Sequence, residues 1–187
     1  QTGEAPRDTH PSPFPSAGTI TLTGGTQSVS LAAQSTGSYN TFYDQDPVFL
    51  GPRTVRVSAR GSSGVPPFAV DVAVPPPLVV TRPDPGAGTA TIDRTQDLVL
   101  EWTPNPARSV VFTLSATVGT GADMRSVTIS ADFYGNVGRA VIPARVMSRL
   151  PAVTAGMTVT YAFTPRNLTV QQVGPWPVQL TGAGRGV

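Results

Sequence analysis

The chain has 187 residues, 13 basic against 11 acidic side chains, 39% hydrophobic residues, 20 Pro, 19 Gly and no Cys. That length can bury roughly 70% of the unfolded surface in one or two modest domains, and the missing Cys excludes a disulfide framework, a thiolate metal site and a Cys nucleophile. Every basic residue is Arg, scattered singly from Arg7 to Arg185, so no clustered groove with stacking aromatics is on offer and a nucleic-acid partner is not expected.

Residues Gln1 to Ala17 carry Pro6, Pro11, Pro13 and Pro15 among small and polar residues. Fixed φ and missing N–H groups disfavour helix there, and an extended arm is expected over 1–17. From Gly18 onward apolar residues alternate with polar ones at period two, the mark of strands with one wet face. Ile20 and Leu22 alternate with Thr19, Thr21 and Thr23, and Val55, Val57 and Ala59 with Thr54, Arg56 and Ser58. Phe68, Val70, Val72 and Val74 form the next apolar row before Pro75-Pro76-Pro77, a stiff extended spacer that cannot sit inside a central strand. The spacer divides the chain into a first β half, 18–76, and a second, 77–187. The first is marginal in size for an independent domain, so the halves are expected to share or dock one core.

In the second half the rows are Leu98, Leu100 and Trp102; Phe112, Leu114, Ala116 and Val118; Val127, Ile129, Ala131 and Phe133; Val159, Tyr161 and Phe163; and Val178 and Leu180. Pro143 to Leu150 is the one helical candidate, with Pro143 at the first helical position and Val146, Met147 and Leu150 on one side. Gly182 to Val187 reads as a flexible tail. One-sided strands at short spacing, separated by Gly- and Pro-rich turns, predict an all-β fold, an antiparallel immunoglobulin-like β-sandwich with one short helix and a Pro-rich N-terminal arm.

Catalytic chemistry finds little purchase. His10, the single histidine, sits in the arm, so neither a Ser-His-Asp triad nor a His-based metal site can be assembled on rigid strands. No phosphate-binding Gly loop opens a helix, and the acids form no pair on one strand face. A carboxylate hydrolase would need two of them facing one cleft. Asp44 and Asp46 are a weak Ca²⁺ candidate without the further ligands of an EF-hand loop, and Pro47 after them reads as an acidic turn. Tyr39, Phe42, Tyr43 and Phe49 surround that turn and could stack on a sugar, anchor a partner or plug the sandwich end. Asn167-Leu168-Thr169 fits a glycosylation acceptor but is read as the start of a strand. No enzyme and no cofactor are expected.

The succession Ile92-Asp93-Arg94, Asp97-Leu98-Val99-Leu100-Glu101-Trp102-Thr103, Arg125-Ser126-Val127, Phe133, Gly138, Ile142-Pro143-Ala144 and Leu150-Pro151, preceded by Val65-Pro66-Pro67-Phe68, resembles secreted or lipid-anchored β-sandwich surface proteins of myxobacteria and similar bacteria. Many of those proteins carry a Cys where Ser130 or its neighbours stand in this chain. The resemblance spans residues 18–181 and implies export to the bacterial exterior, with a cleaved leader or a lipidated Cys ahead of Gln1. No stretch approaches the roughly 18 apolar residues of a membrane helix.

Two functional expectations follow. The first is a non-enzymatic extracellular or cell-surface structural protein, a pilus-like filament subunit that self-associates when its arm adds a strand to a neighbour, with Pro11, Pro13, Phe14, Pro15, Ile20 and Leu22 in the contact. The alternative is a monomeric lipid-tethered module that binds a glycan or protein through Tyr39, Phe42 and Tyr43.

Overall fold

The computed structural model describes residues 15–34, 38–39, 53–84, 86, 91–119, 123–152 and 157–184. The chain divides into two compact units: residues 1–73 with Leu168–Leu180, and Val74–Asn167 with Thr181–Val187.

The first unit holds β1 (Ile20–Thr23), β2 (Val29–Leu31), β3 (Arg53–Ala59) and β4 (Phe68–Val74) in one sheet of order β2-β1-β3-β4. The alternation in β3 places Val55, Val57 and Ala59 inside, and that in β4 buries Val70 and Val72 while Asp71 stays outside and meets Arg56 at 3.2 Å. β1 departs from the expected pattern, because all four of its residues are half-buried. The strand lies in the middle of its sheet, with Ile20 opposite both Leu31 and Ala59 and Leu22 opposite both Val29 and Val57. Among the described residues of this unit, the buried apolar ones are Val and Ala.

The second unit is a sandwich. One sheet has the order β5-β6-β9, from β5 (Val80–Arg82), β6 (Leu98–Trp102) and β9 (Arg139–Ile142). The other has the order β11-β10-β7-β8, from β7 (Ser109–Val118), β8 (Arg125–Tyr134), β10 (Thr158–Val173) and β11 (Trp176–Ala183); Leu168–Leu180, the far part of β10 and most of β11, belongs to the first unit. Leu100, Trp102, Ile142 and Val80 from the first sheet join Phe112, Leu114, Ile129 and Phe163 from the second in one core, as inward-facing rows of two packed sheets must. Trp102 bridges the sheets, its ring 6.1 Å from Phe133 and 6.4 Å from Phe163. The fold is therefore the expected all-β antiparallel architecture with one short helix.

That helix, α1 (Ala144–Met147), supplies Met147 to the core, with Leu150 just beyond it. Pro143 is the N-cap rather than the first helical residue: its ψ of 147° is extended, and the Ala144 N–H behind it is taken by Asp97 at 2.7 Å. Two further expectations change. Asn167 lies deep within the 16-residue β10, not at a strand start, and its side chain accepts the Arg108 N–H at 2.8 Å. Gly182 and Ala183 belong to β11, so the C-terminal segment begins as paired strand.

The Pro75-Pro76-Pro77 segment carries no strand and is tied into the second unit through its carbonyls. The amide of Asn105, the one buried polar residue among those described, donates to Pro76 and Pro77 at 3.2 and 3.4 Å, while its Oδ1 accepts the Ala107 N–H at 2.9 Å. A run without N–H groups can still be fixed by what it accepts.

Candidate assembly surface

The end of the arm is held by a compact set of hydrogen bonds. The Tyr39 hydroxyl donates to the Gly18 carbonyl at 2.8 Å, accepts the Ala17 N–H at 2.8 Å and meets Ser16 Oγ at 2.9 Å. Ser16 Oγ also accepts the Gly18 N–H at 3.0 Å. Across from these, the Gly61 N–H donates to the Ala17 carbonyl at 2.9 Å, and Ser62 Oγ donates to the carbonyl of Ser16. Gly18 has φ of 74°, and a Cβ there would collide with the Gly61 carbonyl; only glycine lets the two backbones approach so closely. Residues 16–18 thus form a fixed base for the chain preceding them.

This arrangement places several sequence-predicted contact residues. Pro15 is exposed at the base. Ile20 and Leu22 are paired on both sides within their own sheet, so both edges of β1 are taken by β2 and β3. Tyr39 is half-buried with its hydroxyl fully engaged. A hub of this kind could not be found from sequence, because its partners lie more than twenty positions away. Pro11, Pro13, Phe14, Phe42, Tyr43, Asp44 and Asp46 lie outside the described residues.

Strand edges are the second component. β8 pairs with β7 along its whole length, from Ser109 opposite Tyr134 to Val118 opposite Arg125, with no break in register. No described strand covers its other side. Its exposed face is Ser126, Thr128, Ser130, Asp132 and Tyr134, and its inward face is Val127, Ile129, Ala131 and Phe133. A long, regular open edge is a ready template for another strand.

The acids do gather in one place. A cleft of about 370 Å³ is lined by Arg82, Asp84, Asp93, Gln96, Asp97 and Val99 among others. Each carboxylate there accepts a backbone N–H: Asp84 that of Gly86 at 2.8 Å and Asp93 that of Thr95 at 2.8 Å, both two residues on, and Asp97 that of the distant Ala144. The Thr95 hydroxyl, 2.7 Å from Asp93, together with that N–H, holds the Asp93 carboxyl below its ordinary pKa. A general acid needs the opposite shift. Among the described residues no three His, Cys, Asp or Glu side chains gather as a metal site, and no helix is long and apolar enough to cross a membrane.

No known family, no curated protein and no solved structure matches the chain.

Proposed function

We propose that the chain is a non-enzymatic structural protein of the bacterial exterior, a subunit that polymerises when the arm of one copy adds as a strand to the next. The observation that carries this reading is the fixed base at Ser16, Ala17 and Gly18. An arm that starts from a rigid point loses less entropy on docking than one trailing from a loose loop, and main-chain pairing then supplies affinity. The exterior address rests on the resemblance to secreted and lipid-anchored surface proteins. The carboxylates of the acidic cleft, occupied as turn and helix caps, support a scaffold rather than a reaction.

The test is the native mass by light scattering, with negative-stain imaging of the same sample, for the intact chain and for a variant lacking residues 1–14. The truncation stops at Phe14 so that the Ser16 and Ala17 contacts survive. The intact chain should give a polydisperse mass far above 19.4 kDa with fibres, and the truncated chain a monomer. A clean monomer from the intact chain would refute the reading and direct attention to the tethered module, with Phe42 and Tyr43 as its contact residues.

A further inference from the structure

Among the described residues six strands border the three sheets: β2, β4, β5, β8, β9 and β11. Most are poor acceptors. β2 and β5 have three residues and β9 four, β5 is also irregular in register, β4 is bracketed by Pro66-Pro67 and Pro75-Pro76, and β11 contains Pro177. β8 has ten residues, no proline and no bulge, so it lacks the usual devices that blunt an edge.

The direction of its backbone groups follows from the register. The Gly184 N–H donates to the Pro165 carbonyl, so Pro165 aims its backbone at β11 and its neighbours Thr164 and Arg166 aim theirs at β7. Thr164 lies opposite Val111, so in β7 the alternate set Val110, Phe112, Leu114 and Ala116 is aimed at β8. Those residues face Phe133, Ala131, Ile129 and Val127. The groups left over, on Ser126, Thr128, Ser130, Asp132 and Tyr134, are aimed at the open edge.

The arm has a matching asymmetry. Pro11, Pro13 and Pro15 alternate with Ser12 and Phe14, after His10. Alternate residues of a strand aim their backbone groups at opposite edges. Extended, this segment would carry every missing N–H on one edge and the intact donors of His10, Ser12 and Phe14 on the other. Such a strand pairs on one side only. We infer that the open edge of β8 is the acceptor for the arm of a second copy, which pairs through His10, Ser12 and Phe14. The inference rests on the assembly reading above and gives that contact its partner surface.

The faces agree for all but one residue. Residues directly opposite in a hydrogen-bonded pair share a face, so His10 and Ser12 fall on the wet side with Asp132 and Ser130, and the Phe14 ring falls there too, beside Thr128. The rings of Pro11, Pro13 and Pro15 extend the apolar row of Val127, Ile129 and Ala131. Ten residues at about 3.3 Å each give an edge of about 33 Å, and Asp8 to Pro15 needs about 26 Å. Once docked, the arm presents its proline edge outward and ends the sheet, while the next copy repeats the contact head to tail without closing on itself.

The experiment uses full-length chains. Because the protein has no Cys, a Ser12→Cys chain mixed with a Ser130→Cys chain can form a disulfide only between introduced thiols; Thr128→Cys and Asp132→Cys cover registers shifted by two. Oxidation should link these pairs in far higher yield than Ser12→Cys with Ser30→Cys, an exposed β2 position in the other unit. In parallel, Ser130→Pro removes an edge-facing N–H but no β7 ladder bond, and should raise the concentration needed for assembly about tenfold with an unchanged far-UV circular dichroism spectrum. If the Ser130→Pro chain does not fold, the cross-linking yields decide alone. An intact chain that polymerises, yet links no better to β8 than to Ser30 and ignores Ser130→Pro, overturns the edge assignment and leaves the assembly reading standing. An intact chain that stays monomeric overturns both. A double Ser12→Cys, Ser130→Cys chain that closes on itself at high dilution, without links between mixed copies, shows the arm sealing its own edge and overturns the inference.

Discussion

Replacing Trp102 with Ala should destabilise the second unit by about 4 kcal/mol. The side chain is 3% exposed, and a buried aromatic removes about 150–250 Å² from water, which at about 25 cal/mol/Å² corresponds to about 4–6 kcal/mol for the whole side chain. Ala keeps the Cβ, and the remainder falls within the range of about 3–5 kcal/mol typical of Trp→Ala in a core. The indole N–H contributes little of this. Its acceptor, the Gly135 carbonyl at 2.9 Å, also receives the Asn105 N–H at 3.0 Å and is not orphaned by the substitution. Trp102→Phe, which keeps a ring between Phe133 and Phe163, should therefore cost only about 1–2 kcal/mol. Urea unfolding followed by far-UV circular dichroism reads both changes, with Trp176 as an independent fluorescence reporter of the first unit. A loss below about 1 kcal/mol for Trp102→Ala, or equal losses for Ala and Phe, would refute the claim that ring packing across the two sheets holds this core together.

Three other outcomes are expected. Tyr39→Phe removes the hydroxyl that binds Ala17 and Gly18 and should cost about 1–2 kcal/mol; amide exchange at Gly61, whose N–H is held by Ala17, should accelerate, and unchanged protection would mean the base is fixed by other contacts. Asn105→Ala orphans the Ala107 N–H and withdraws the donor from the Pro76 and Pro77 carbonyls, an effect of about 2–3 kcal/mol, detectable in the same urea experiment as a lower midpoint. For Asp93 the pKa is lowered, first by the Thr95 hydroxyl and then by the Thr95 N–H. Its contribution to stability is present above the ordinary carboxyl range and is lost as pH falls through the lowered pKa. Thr95→Val should move the Asp93 titration upward in a carboxyl-detected NMR experiment, and a titration that does not move would show that the hydroxyl is not the main cause.

Much of the core was legible because its signal is local. Period-two rows such as Val55-Val57-Ala59, Leu100-Trp102 and Phe112-Leu114-Ala116 point inward as written, since successive side chains of a strand take opposite faces whatever the strand pairs with. The same rule stops working where strands are short. β2, β5 and β9 have three or four residues, too few for a period to show. It also weakens at strand ends: Val159 is in phase with Tyr161 and Phe163 but remains 42% exposed.

The candidate surface was legible in part. The arm's alternation of Pro11, Pro13 and Pro15 with Ser12 and Phe14 is visible in the sequence. Which strand has an edge to receive it is a matter of pairing. β1 and β8 have similar alternation, yet among the described strands β1 lies between two neighbours and β8 has one. Tyr39 reads as a loop aromatic in sequence, and its hydroxyl is committed to residues 16–18 only because folding brings them together. By itself the sequence determined the longer strands and their inward faces, the lack of any thiol and the alternating prolines ahead of Ser16, all properties of neighbours along the chain. The tertiary structure decided the order of the strands, the open edge, the fixed base of the arm and the return of Leu168–Leu180 to the first unit, because each depends on contacts between segments whose separation no local pattern encodes.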